Sequence, residues 1–268
     1  MSASPTPAET YEGFMVPFRF RPWAVELLDR IALKPGTRVL DVACGTGIVA
    51  RVAAERLAGK GSVTGVDMNP AMIEVGARVA AEEGLEIDWQ VGKVESLPFA
   101  DCSFDLVTIQ QGLQFFPDQP AALRECLRVL VPGGTLAVGI WSSLEKQGIQ
   151  QPYAEAIERV TGSASMHASY GTVTEESLHA LISGAGFADI SIEEVTIDLA
   201  YDDADTFVVR MVEGTSAGVP TMHGRSNEER AALADAVARE MSAALQSSTV
   251  DDQLITQSTA YLATGVRP

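Results

Sequence analysis

The chain has 268 residues, 46% of them hydrophobic and 21% charged, enough apolar matter for a substantial core and far from the composition of a disordered chain. Asp and Glu outnumber Lys and Arg by 36 to 19, and this acidity argues against a nucleic-acid partner, whose phosphates draw affinity from clustered cations. The apolar runs are too short to span or insert into a membrane, Met1 to Thr10 lacks the basic and apolar regions of a signal peptide, and Cys44, Cys102 and Cys126 have no zinc-like spacing. These features predict a cytoplasmic protein with free, mostly buried thiols and no metal site.

Residues 1–36 are read as an N-terminal tail and helical cap. Tyr11 to Phe18 concentrates aromatic and apolar groups, with Tyr11 and Phe14 either facing a ligand or packing inward. Ala24, Leu27, Leu28 and Ile31 recur at helical spacing, and Lys34-Pro35-Gly36 ends that helix. Val39, Leu40 and Val42 suit a strand buried on both faces, which runs into the turn Ala43-Cys44-Gly45-Thr46-Gly47. Two glycines leave backbone bare at a helix N-terminus, and Thr46 is the expected cap. The next strand ends at Asp67, about 20 residues further on, the separation expected of a carboxylate that accepts ribose hydroxyls. No Lys-Ser/Thr follows the glycines and the full G-x-G-x-x-G is absent, so an adenosine ligand without a phosphate cradle is predicted.

Asn69 as cap and Pro70 at the first position start a helix striped by Met72, Val75 and Val79. Ile87 to Val91 and Asp105 to Ile109 read as the third and fourth strands. Gln110, Gln111 and Gln114 follow the fourth strand at the ligand mouth, where polar side chains point to a ligand rather than to packing. A helix from Asp118 or Gln119 leads to Pro132-Gly133-Gly134 and a fifth strand to Ile140. Residues 141–173, opened by Trp141 and closing near His167 and Tyr170, are expected to choose the substrate. A helix from Thr174, a strand over Ile190 to Val195, an insertion over 201–250 and a last strand over Ile255 to Ala263 complete the chain. The insertion carries Phe207 to Val212, a loop from Gly214 to Arg225, and a helix with Leu233, Val237, Met241 and Leu245 on one face.

Four blocks in order, Asp41 to Gly47, Gly65-Val66-Asp67-Met68-Asn69, Glu95-Ser96-Leu97-Pro98-Phe99 with Ser103 to Val107, and Leu130 to Gly134, resemble class I S-adenosylmethionine-dependent methyltransferases. The branch they look most like contains the ubiquinone and menaquinone C-methyltransferases. The resemblance implies an α/β Rossmann-like doubly wound sheet of seven strands, order 3-2-1-4-5-7-6 with the last strand antiparallel, in a domain over 37–268. It also implies an N-terminal helical cap and a helical lid over 201–250. S-adenosyl-L-methionine would be the methyl donor and S-adenosyl-L-homocysteine its product. Cofactor contacts are then expected from Asp41, Ala43, Gly45, Thr46, Gly47, Asp67, Met68, Val94, Glu95, Gln110 and Gln111. Tyr11, Phe14, Gln114 and Trp141 are the expected substrate contacts, and His167, Tyr170 and His223 the candidate catalytic groups. Lys93-Val94 stands where many relatives place an acid before a small residue, and lysine cannot accept a hydrogen bond from adenine. The predicted activity is in-line methyl transfer to an O, C or N atom of a small molecule such as a natural product or quinone, in a chain that leaves room for a homodimer. A relative catalysing a cyclisation or rearrangement, and a non-catalytic ligand-binding subunit, are the alternatives.

Overall fold

A computed structural model describes residues 5–215 and 225–268. The chain opens with α1 (Pro7–Thr10), a π-helical stretch (Tyr11–Phe20) and α2 (Arg21–Asp29). Strands and helices then alternate: β1 (Arg38–Val42), α3 (Ile48–Leu57), β2 (Ser62–Asp67), α4 (Pro70–Glu82), β3 (Asp88–Val91), β4 (Phe104–Gln110), α5 (Gln119–Val129) and β5 (Leu130–Trp141). The remainder comprises α6 (Gln150–Thr161), α7 (Glu175–Gly184), β6 (Ala188–Tyr201), α8 (Phe207–Thr215), α9 (Asn227–Ser248), β7 (Thr249–Val250) and β8 (Gln253–Val266).

The sheet order is β3-β2-β1-β4-β5-β8-β6, with the two-residue β7 pairing β8, so β8 takes the place predicted for the last strand. β1 lies parallel to β2 and β4, β2 to β3, and β4 to β5. β8 runs antiparallel to β5, since Arg267 bonds Gly133 and Gly134 at one end while Thr259 accepts from Ser142 at the other. Arg38 forks onto Asp105 through Nε and Nη2, both at 2.9 Å, and so locks the start of β1 against β4.

Contacts divide the chain into two compact units. The sheet unit comprises Phe20–Ile140, Val173–Val195 and Ala260–Pro268. Its core is formed by strand residues such as Leu40, Val42, Val107 and Ile109 together with Leu123, Cys126, Leu178 and Ile182 from the helices that cover them. The second unit comprises Met1–Arg19, Trp141–Thr172 and Thr196–Thr259. In it, α6 and α8 both pack on α9, whose Leu233, Ala234, Val237 and Met241 are buried. Phe14, Phe18, Tyr201 and Phe207 form an aromatic cluster there, with neighbouring ring centroids 4.9–6.2 Å apart.

Several local expectations are corrected. The cap of α3 is Gly47, in the left-handed region at φ 78°, with no side-chain cap bond, so Thr46 does not fill that role. On α4 the buried positions are Ile73, Val75, Gly76 and Ala80, because the helix turns that face inward, leaving Met72 and Val79 at its margin. Cys102 is exposed while Cys126 is buried and Cys44 half-buried. His223 and most of the Gly214 to Arg225 loop lie outside the described residues. Among the described residues no helix is long and apolar enough to cross a membrane.

Candidate functional site

In the sheet unit, the carboxyl ends of β1, β2 and β4 converge with the loop after β3, the place where doubly wound sheets take ligands. The chain leaving β1 turns sharply: Ala43, Gly45 and Gly47 all have positive φ, at 53°, 56° and 78°. Hydrogen bonds Cys44 N to Val66 O and Gly47 N to Cys44 O, at 3.1 and 2.8 Å, hold the turn against β2. Asp67 faces it. Its Oδ2 accepts from Gly45 N at 2.9 Å and its Oδ1 from Asn69 N at 2.8 Å. The acid and the bare backbone therefore adjoin one another. Met68, beside Asp67, is 68% exposed, an apolar side chain the protein itself leaves unpacked.

Asp41 has a different place. Only 1% exposed, its carboxylate accepts from Thr108 Oγ1 at 2.8 Å and from Ala50 N at 3.2 Å. It ties the end of β1 to β4 and to the first turn of α3, which makes it a positioning group beneath the turn rather than a surface contact. Burial raises its pKa to about 7, against the pull of both hydrogen bonds. Burial likewise pushes the Cys44 thiol well above its usual range, which disfavours the reactive thiolate.

Gly47 owes its lack of a side chain to packing as well as to conformation. A Cβ there would lie 2.2 Å from the Trp89 ring, and Cβ atoms on Gly65 and Gly76 would come within 2.9 and 3.0 Å of the same indole. Three glycines from β2, α4 and the turn thus form a slot for the aromatic ring of β3. Sequence reasoning missed this, although a tryptophan in a short strand beside a glycine-bearing strand was its visible sign.

The loop after β3 begins where Gly92 N bonds Asp67 O at 3.0 Å. Val94 is buried in the sheet-unit core, so its backbone and not its side chain is available to a ligand, while Glu95 is half-buried and Lys93 exposed. After β4 the chain returns to the glycine turn, and a Cβ on Gly112 would be 3.0 Å from Ala43 Cβ. Gln111 is 7% exposed and holds an unusual left-handed backbone at φ 54°. Both its side-chain amide atoms are buried without a hydrogen-bond partner, as are Gln110 Oε1 and Gln114 Oε1. Gln110 Nε2 donates to Phe20 O at 3.0 Å and Gln114 Nε2 to Gln111 O at 2.9 Å. Native proteins rarely leave buried amide atoms unpaired, and here four such atoms, from Gln110, Gln111 and Gln114, lie close together in the chain after β4. A shallow depression lined by Leu57, Gly61, Leu85 and Glu86 sits instead at the amino end of β2 and shares none of these groups.

The remaining predicted residues lie in the second unit. Phe14 is 4% exposed within the aromatic cluster, which makes it a packing residue there, and Tyr11 is half-buried. Trp141 is 4% exposed, with the Arg19 guanidinium 4.5 Å from its ring centroid. Arg19 Nη2 donates to Tyr170 Oη at 2.7 Å. His167 lies on a short 3-10 turn, its Nε2 3.3 Å from Glu158 Oε2 and its side chain 38% exposed. Arg19 was not singled out in the sequence, because an arginine in an aromatic stretch gives no sign that it will be buried.

Residues 15–201 match the ubiE/COQ5 methyltransferase family. The ubiquinone/menaquinone biosynthesis C-methyltransferase UbiE of Shewanella woodyi is 30% identical over 196 residues, spanning 66% of this chain and 76% of that protein. Among solved structures, the [4+2]-cyclase SpnF is 26% identical with a TM-score of 0.59, covering 92% of this chain and 80% of its own. Phosphoethanolamine N-methyltransferase 2 of Haemonchus contortus, solved with S-adenosyl-L-methionine, is similar in fold at 20% identity and a TM-score of 0.62, over 98% of this chain and 57% of that one.

Proposed function

The chain belongs to the ubiE/COQ5 methyltransferase family and is an S-adenosyl-L-methionine-dependent enzyme acting on a small molecule; on that premise we propose which residues hold each reactant and what the acceptor is. The donor is assigned to the sheet unit. Asp67 takes the ribose hydroxyls, the backbone of Ala43 to Gly47 takes the amino-acid end, and Met68 lies against adenine. The Val94 backbone and Glu95 flank the adenine ring, and Gln110 and Gln111 complete the pocket. The observation that carries this assignment is the Asp67 carboxylate bonded to Gly45 N beside an exposed methionine.

When bound, the donor supplies a methyl group on a sulfonium, already a strong electrophile. The protein's task is then to align the acceptor behind that methyl and to exclude water. We assign that task to residues 141–173 and 201–250, with Trp141, Tyr11 and Gln114 as acceptor contacts and Tyr170 as an orienting hydroxyl. The acceptor is taken to be a quinone-like aromatic metabolite, by kinship with the ubiquinone/menaquinone enzyme of Shewanella woodyi. Proton removal from the acceptor is assigned to His167, held by Glu158. His223, outside the described residues, is the alternative base. We place the protein in the cytoplasm, free of nucleic acid, and allow for a homodimer.

Calorimetric titration with S-adenosylhomocysteine should give saturable binding that Asp67→Ala abolishes, and unchanged binding in that variant would remove the assignment. With a verified acceptor, His167→Ala should slow turnover about 10²- to 10⁴-fold, the usual reach of a general base. The similarity to a [4+2]-cyclase supports a second reading, cyclisation with the same ligand held but not consumed. Mass analysis separates the two, since only methyl transfer adds one methylene unit to the product.

A further inference from the structure

Arg19 is the chain's most unusual cation. It is 3% exposed, yet its one hydrogen bond goes to the neutral hydroxyl of Tyr170, and its Nε is buried without an acceptor. Among the described residues no carboxylate reaches it. Its guanidinium lies over Trp141 and Tyr170, 4.5 and 5.8 Å from the ring centroids. Stacking of this kind orients the fork, and its edge donor Nε is left unused. Next to it stands Tyr201, buried, close enough for electrostatic coupling, with a hydroxyl lacking a hydrogen-bond partner. Gln150, 2% exposed, faces the same hydroxyl without forming a well-aligned bond, and both its amide atoms are unpaired.

A desolvated cation without a counter-charge is costly, and buried donors normally find partners. Here three adjacent side chains from the π-helical stretch, α6 and β6 leave donors open. A planar guanidinium with its Nε donor free matches a delocalised oxyanion better than a halide or an ammonium. Tyr201 remains a neutral donor across the physiological range, burial having pushed its pKa up to about 12.

We propose that Arg19, with Gln150 and Tyr201, forms a receptor for the delocalised oxyanion of a small aromatic ligand, a carboxylate or a phenolate, and that this ligand is the methyl acceptor. The identification with the acceptor rests on the function proposed above. The anion site itself does not.

The test uses the full chain with four probes: benzoate and its neutral isostere benzamide, and 4-nitrophenolate with its neutral counterpart 4-nitroanisole. The chain has three tryptophans, so indole N–H resonances can be followed singly, with that of Trp141 identified by Trp141→Phe. One or both anions should saturably shift the Trp141 resonance in the wild-type protein, while the neutral partners do not. Whichever anion binds names the source of the oxyanion. Arg19→Met should weaken that anion by about tenfold or more, and Arg19→Lys, which keeps charge but loses the planar fork, should fall between. Equal response to an anion and its neutral isostere, no response to any probe, or an unchanged affinity in a folded Arg19→Met would overturn the proposal. S-adenosylhomocysteine titration runs alongside. Retained binding in Arg19→Met certifies the fold, and wild-type protein that binds the homocysteine but neither anion defeats this inference while leaving the methyltransferase reading standing.

Discussion

At the residue scale, the Asp41 carboxyl keeps its proton to about pH 7 because burial penalises its charge, whereas the same group in the unfolded chain ionises near 3.8. The folded state therefore binds this proton more tightly than the unfolded state does. Its contribution to stability is greatest below the unfolded value, declines as pH rises between the two values, and levels off above the folded one. From pH 5 to pH 8 the loss should be roughly 2–3 kcal/mol. Asp41→Asn, which cannot ionise, should flatten that dependence relative to wild type. Denaturant unfolding of both proteins at the two pH values reads it directly, and parallel slopes would show that Asp41 is not the group responsible. Asp67, half-buried, accepts from two backbone N–H groups, those of Gly45 and Asn69.

At the element scale, the turn between β1 and α3 is shaped by what packs beneath and beside it. Asp41 anchors its floor through Ala50 N and Thr108, and the Trp89 indole closes one wall. Gly47→Ala combines a left-handed φ of 78° with a Cβ 2.2 Å from that ring, so neither the backbone nor the indole can stay where it is. A loss of about 2–4 kcal/mol is expected from overpacking and backbone strain together. Shortening the wall in Gly47→Ala/Trp89→Val should recover the overpacking part and leave the strain. A strictly additive double mutant in urea unfolding would show that the two positions are not coupled.

This element also shows what could be read from the chain beforehand. The strand, the glycine turn and the acid at the end of β2 were legible because each has a local cause: β-branched runs, positive φ, and a carboxylate at a fixed separation. The cap at Gly47 and the indole slot were not, because residue 89 meets residues 47, 65 and 76 only when β3 pairs with β2. In the second unit the aromatic character of Tyr11 to Phe18 was plain, but whether Phe14 faced a ligand or a core depended on Tyr201 and Phe207, almost two hundred residues away.

At the scale of the whole molecule, a net charge of -17 places repulsion on every compact state, even with ion pairs such as Arg38–Asp105 and Arg128–Glu125 spread over the surface. Screening that repulsion should outweigh the weakening of exposed pairs, each worth about 1 kcal/mol or less. Thermal unfolding between low and moderate sodium chloride should therefore show a midpoint that rises with salt. A falling midpoint would mean that the surface pairs dominate.

The sequence by itself determined the alternation of strands and helices, the glycine turn after β1 and the acid at the end of β2, since periodicity, turn chemistry and motif spacing all act over short stretches of chain. Tertiary structure alone decided that Asp41 is a buried support, that three glycines make room for Trp89, and that Arg19 lies desolvated among aromatic rings with no carboxylate reaching it among the described residues. The physical reason is the same in each instance: burial and partnership arise when distant segments meet, and no residue carries that information in its own neighbourhood.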